Sequence, residues 1–192
     1  MDEQDEYPDF KPPVADLFEL ANNSFDPPTF RRACERFATF DDLHSDEIAM
    51  FFSIEGIPSP LVAVTSHDSD AVAHAMLEFY VWEDFLEDLH ESHESWQDER
   101  DEFDRVYAEA LAAAIEVLGP PLRQGTDDNE DRLRHALWRG KTGLLILHQT
   151  NCYCESGWGV VYRVQRWSGP DPQPTSPFDL WIGSLYPDER DL

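Results

Sequence analysis

Between Glu83 and Leu118 the chain carries the pattern that most restricts its fold. Phe85, Leu89, Trp96, Phe103, Tyr107, Ala110, Leu111, Ala114, Ile115 and Leu118 fall on one stripe at helical spacing. The spacing predicts a helix over residues 83–118, and Gly119-Pro120-Pro121 stops it, with Gly just past the end and Pro beyond. The second half, Tyr107 to Leu118, is Ala-rich and broadly apolar, so it belongs against a core. In the first half the apolar seam is narrow and the rest of the circumference is acid. At ~1.5 Å per residue an unbroken helix would exceed ~50 Å, which is long for a domain of this size, so a break is expected near Ser92 to Ser95.

Acid is the second constraint. Glu83, Asp84, Glu87, Asp88, Glu91, Glu94, Asp98, Glu99, Asp101, Glu102 and Asp104 are opposed only by Arg100 and Arg105 in that stretch. The whole chain has 40 Asp+Glu against 14 Lys+Arg, a formal net charge of -26 in 192 residues. Such a field repels nucleic acid and anionic lipid and attracts basic surfaces. With 41% hydrophobic and 12% aromatic residues, the chain still has enough apolar material for a sizeable core. Only Lys11 and Lys141 are Lys; the other cations are Arg, as in adaptation to high salt or in a high-GC genome.

The length fits a single domain over 1–192, with a Pro- and Asp-rich N-terminal arm (1–28) and a Pro-rich linker plus docking tail (168–192). Phe30, Ala33, Cys34 and Phe37 form one face of a short helix opened by Pro28 or Thr29. Ser45 to Glu47 reads as a helix cap, or Ile48 to Ile54 as a strand. Leu61 to Thr65, His74 to Trp82, Arg132 to Trp138, Gly143 to Gln149 and Trp158 to Trp167 are strand candidates, the last three an antiparallel meander. Trp158, Val160, Tyr162 and Val164 share one face of the last strand, Arg163 and Gln165 the other. Gln124 to Asp131 reads as a polar loop, and no internal repeat is evident. The expected fold is α+β: an antiparallel sheet of about four to six strands packed against helices, including the long acidic one.

No motif for chemistry matches the acidic segment in strength. Glu87-x-x-His90, with His93, Glu91 and Glu94 nearby, has the spacing of di-metal carboxylate helices, but such a site needs a second motif of the kind. A solvated helix face is the simpler use. Cys152 and Cys154, with His148 before them, lack the second ligand pair of a zinc site, and three Cys do not make a disulfide framework. Ser66-His67-Asp68 follows a predicted strand, where Ser and Asp commonly form turns, and there is no G-x-S-x-G elbow. Neither a P-loop nor a dinucleotide-binding Gly pattern occurs, and no cofactor is expected. Basic clusters are minimal, which disfavours direct nucleic-acid binding. No secretory signal and no membrane span are read, so the expected compartment is the cytoplasm.

From Tyr107 to Trp167, about a third of the chain, the order is an Ala/Leu-rich helix ending Leu118-Gly119-Pro120-Pro121, a polar loop, a strand ending in Trp138 and an apolar hairpin. This order resembles small acidic bacterial α+β proteins, several of them immunity proteins of polymorphic or contact-dependent toxin systems. The resemblance implies a cytoplasmic, non-catalytic inhibitor that neutralises a cognate toxin. The charge reading places its partner-binding residues at Glu87, Asp88, Glu91, Glu94, Asp98, Glu99, Asp101 and Glu102, facing a basic protein partner such as a nuclease. Three other classes stay open. They are a DNA mimic, an enzyme or metal protein using His67/Asp68 or Cys152/Cys154, and a halophile protein coated evenly with acid.

Overall fold

The computed structural model describes residues 11–46, 48–57, 59–66, 71–82, 93–127, 132–152 and 157–170. Among the described residues it is α+β, with three helices on an antiparallel sheet. The first half of the chain supplies α1 (Val14–Asn22), α2 (Pro27–Cys34), β1 (Thr39–Asp41), β2 (Ala49–Ser53), β3 (Leu61–Thr65) and β4 (Val72–Trp82). The second supplies α3 (His93–Leu118), β5 (Arg123–Thr126), β6 (Arg134–Arg139), β7 (Gly143–Cys152) and β8 (Gly157–Arg166). Among the described residues the sheet has eight strands in the order β1-β2-β3-β4-β8-β7-β6-β5.

That count corrects the expected four to six. The extra strands are the two edges and the ambiguous run before Gly56, which forms β2. β1 has only three residues, Thr-Phe-Asp, and β5 is the exposed run Arg-Gln-Gly-Thr. Neither is long or alternating enough to carry a strand signal of its own. Each exists because a neighbour offers backbone partners: Phe40 lies opposite Phe52, and Gln124 opposite Ala136. The expected polar loop from Gln124 thus begins as a strand.

The two halves mirror one another. Each is a four-stranded meander preceded by helix, and the meanders join through the antiparallel pair β4–β8 at the centre. Helix α3 links the central strand β4 to the far edge β5, from which the chain walks back inward. Its 26 residues span about 39 Å at ~1.5 Å per residue, ample to pass over β8, β7 and β6. Residues 83–92, the first part of the expected long helix, lie outside the described residues.

One apolar cluster holds the helices to the sheet. It joins Leu17 and Leu20 of α1, Phe30 and Cys34 of α2, and Phe103, Tyr107, Ala110 and Ala114 of α3 to Leu77, Leu145, Leu147, Val160, Tyr162 and Val164 of the central strands. Local signals set the helix ends. The Asp26 carboxylate accepts from Thr29 N at 3.1 Å and caps α2, whose first turn holds Pro27 and Pro28. Gly119 closes α3 with φ +80 and donates to Ile115 O at 2.8 Å. The β6–β7 turn grips the end of α1: Thr142 N donates to Ala21 O at 3.1 Å and Lys141 N to Asn22 Oδ1 at 3.0 Å. Gly140 permits that approach, since a Cβ there would lie 2.6 Å from the Ala21 carbonyl carbon.

Candidate functional site

The sequence-predicted acids divide along α3. Glu87, Asp88 and Glu91 lie outside the described residues, and Glu94, Asp98 and Glu99 belong to the first turns of the helix backbone. Asp101 is exposed and Glu102 half-buried. Arg105 donates from Nε to Glu102 Oε2 at 2.8 Å and also pairs with Glu109, so Glu102 is held below the usual carboxylate range chiefly by its bond from Arg105. Farther along, Glu109 and Glu116 are exposed on the same helix.

Asp104 turns toward the sheet. It accepts from Arg134 Nη2 at 2.9 Å and Gln149 Nε2 at 2.9 Å, and Arg100 Nε lies 3.4 Å away. Gln149 is buried in β7, and its amide oxygen accepts from Arg134 N at 2.9 Å. Tyr162 Oη donates to Ala110 O at 3.0 Å, and Trp138 Nε1 to Gly119 O at 2.9 Å. These bonds fasten α3 along most of its described length. Arg100, Asp104, Thr126, Arg132 and Arg134 surround a cavity of about 270 Å³ beside the helix.

His67, Asp68 and Cys154 lie outside the described residues, and Cys152 ends the backbone of β7. Cys34 is buried, and burial pushes its thiol up to about 12, far from reactive thiolate. Among the described residues no group of three or more His, Cys, Asp or Glu is placed to hold a metal ion. A cleft of about 480 Å³ near β1 and β2 is lined by Asp41, His44, Phe51, Ser53, Ile57, Ser59 and Pro60. There His44 Nδ1 meets Asp41 Oδ2 at 2.7 Å. The same carboxylate accepts from Leu43 N and His44 N, so the pair belongs to the turn after β1.

The constellation that sequence reasoning missed lies on the sheet face opposite the helices. Strand pairing sets His74 beside Gln165 and Met76 beside Arg163 across β4–β8. Across β8–β7–β6 it sets Arg163 beside Ile146, Val161 beside His148, and His148 beside His135. His74, His135, His148 and Arg163 are all at least nine-tenths buried. Leu137, Leu144 and Ile146 form a small apolar cluster on the same face, with Trp167 against it. Burial and the nearby Arg163 charge hold the His74 imidazole down to about 4 and that of His148 to about 3, so both are neutral near pH 7. Burial also depresses Arg163, to about 10, which leaves it a cation. The available signal was the alternation in β8, where Arg163 and Gln165 interrupt an otherwise apolar strand.

Comparison with family models, with curated proteins and with solved structures finds no significant match to this chain.

Proposed function

We propose that this protein is a non-catalytic binding protein of the inhibitor or immunity type, which works in the cytoplasm by engaging a basic protein partner through the acidic side of α3. The observation that supports this reading is the fixing of α3. Phe103, Tyr107, Ala110 and Ala114 are buried, and Asp104 is tied to Arg134 and Gln149. Asp101, Glu109 and Glu116 meanwhile stay exposed. Acid carried on a rigid element loses little conformational entropy on binding, and its field steers a basic partner into an encounter. Among the described residues no helix is long and apolar enough to cross a membrane.

Two features refine the binding face. Asp104 belongs to the packing of the helix. Glu102 and Glu109 share Arg105, so their net contribution to the field is reduced. Asp101 is exposed near the end of α3 that continues into the acid-rich sequence.

The test begins with co-purification from the native host and identification of the captured protein by mass spectrometry. Association with that partner is then measured for the native chain and for a variant in which Asp98, Glu99, Asp101 and Glu102 become Asn or Gln. Association is expected to slow roughly tenfold at low salt, with a flatter salt dependence. An unchanged rate would remove α3 from the interface. Competition between this protein and duplex DNA for the partner would point to nucleic-acid mimicry.

A further inference from the structure

We propose that the face of the sheet opposite α1, α2 and α3 contains a binding site for a phosphate group, built on Arg163 and His148. Arg163 lies near the middle of the sheet and is 8% exposed. Its Nε has no hydrogen-bond partner, and Nη2 makes a weak contact with Met76 Sδ at 3.9 Å. No carboxylate among the described residues pairs with it, although the chain carries 40 acids. A buried guanidinium is ordinarily paired, because the desolvation of an isolated charge is costly. The orphaned Nε beside a weakly engaged Nη2 leaves the guanidinium edge free for an oxyanion.

The neighbouring histidines narrow the chemistry. His148 is 3% exposed, and its Nδ1 lies 3.1 Å from Gln149 O. A carbonyl oxygen can only accept, so Nδ1 carries the proton and Nε2 of the neutral ring is a lone-pair acceptor. That Nε2 is buried without a partner. The site thus presents a cationic N–H donor and an acceptor that needs an O–H. A hydrogen phosphate or protonated phosphate monoester supplies both, P–O⁻ toward Arg163 and P–OH toward His148. Sulfate and a carboxylate at neutral pH have no such proton. His74 Nδ1 and His135 Nδ1 on the same face are likewise buried without partners. The same face also carries Arg139 of β6, opposite Leu144, and Arg123 of β5, opposite Leu137, together with Glu78, opposite Val161, whose carboxyl burial pushes up. It therefore resists ionisation and adds less negative charge against the ligand.

The full chain is titrated calorimetrically at pH 7 with inorganic phosphate, glycerol phosphate and sulfate. About 0.15 M KCl, with a Debye length of about 8 Å, limits repulsion by the net charge. Saturable binding of phosphate is expected, with sulfate at least about tenfold weaker because it leaves the His148 acceptor unpaired. Tighter glycerol phosphate identifies an esterified ligand, and tighter inorganic phosphate the free ion. Arg163→Gln is expected to weaken phosphate at least about tenfold. Absence of saturable phosphate binding, equal affinity for sulfate, or full affinity in Arg163→Gln would overturn the proposal. Where Arg163→Gln does not fold, the phosphate–sulfate comparison on the native chain decides alone. A crystal grown with phosphate that shows only ordered water at Arg163 and His148 also overturns it.

Discussion

The two faces of the central strands are both largely buried and are chemically opposed. Toward the helices, β4, β8 and β7 present Leu77, Val160, Tyr162, Val164, Leu145 and Leu147. Away from them, the same strands present His74, Met76, Arg163, Gln165, Ile146 and His148. The first face needs only volume and shape, since burying apolar area is favourable wherever it fits. Burial on the second is costly unless each polar atom finds a partner. A buried surface can thus be the source of stability on one side of a sheet and its expense on the other.

Truncation should separate the faces most strongly. Leu145→Ala, in a fully buried position on the helix face, is expected to cost roughly 2–5 kcal/mol in urea unfolding. Arg163→Met in phosphate-free buffer is expected to be neutral or stabilising within about 2 kcal/mol, because it removes a buried unpaired cation beside Met76. A large loss from Arg163→Met would show that the guanidinium supports the fold, and the contrast would fail.

Acid titration sharpens the comparison next. His148 and His74 are depressed to about 3 and about 4 in the folded chain, against about 6.5 when unfolded. Between those limits the unfolded state binds more protons, so stability is complete above about pH 6.5 and falls as pH drops toward 4. Each histidine contributes a slope of up to about 1.4 kcal/mol per pH unit. Glu78 acts in the opposite sense, so the contribution is read by difference. Urea unfolding from pH 7.5 to 4.5 should show a shallower decline for His148→Gln than for the native chain. Parallel declines would remove His148 from the acid response.

The smallest effect belongs to the outer surface of α3. Arg105→Ala breaks exposed pairs with Glu102 and Glu109, which should cost no more than about 0.5 kcal/mol in thermal unfolding. It also bares two carboxylates, so association with a basic partner should quicken at low salt. A slower association would place Arg105 itself in contact with the partner.

Much of this architecture is legible in the chain. The stripe Phe103, Tyr107, Ala110, Ala114 is the buried side of α3, and Gly119 ends it as expected. The β-branched run at Leu61 to Thr65 and the apolar run at Gly143 are strands. Those signals are local: helical periodicity, capping chemistry and turn residues act within a few positions. The edges β1 and β5 were not legible, because their only reason to be extended is the strand beside them. Asp104 sat in a run of acids with nothing to mark it. It turns inward because Arg134 and Gln149, from β6 and β7, arrive beside it in the fold.

By itself, then, the sequence determined the secondary elements of the core, the stop of the long helix and the sign of the surface charge, all properties of neighbouring residues. Tertiary structure decided the eight-strand order, the mirrored meanders and the meeting of His74, His148, His135 and Arg163 on one face. Strand pairing joins residues up to about ninety positions apart, such as His74 and Gln165, and no local pattern encodes which distant strand completes the register.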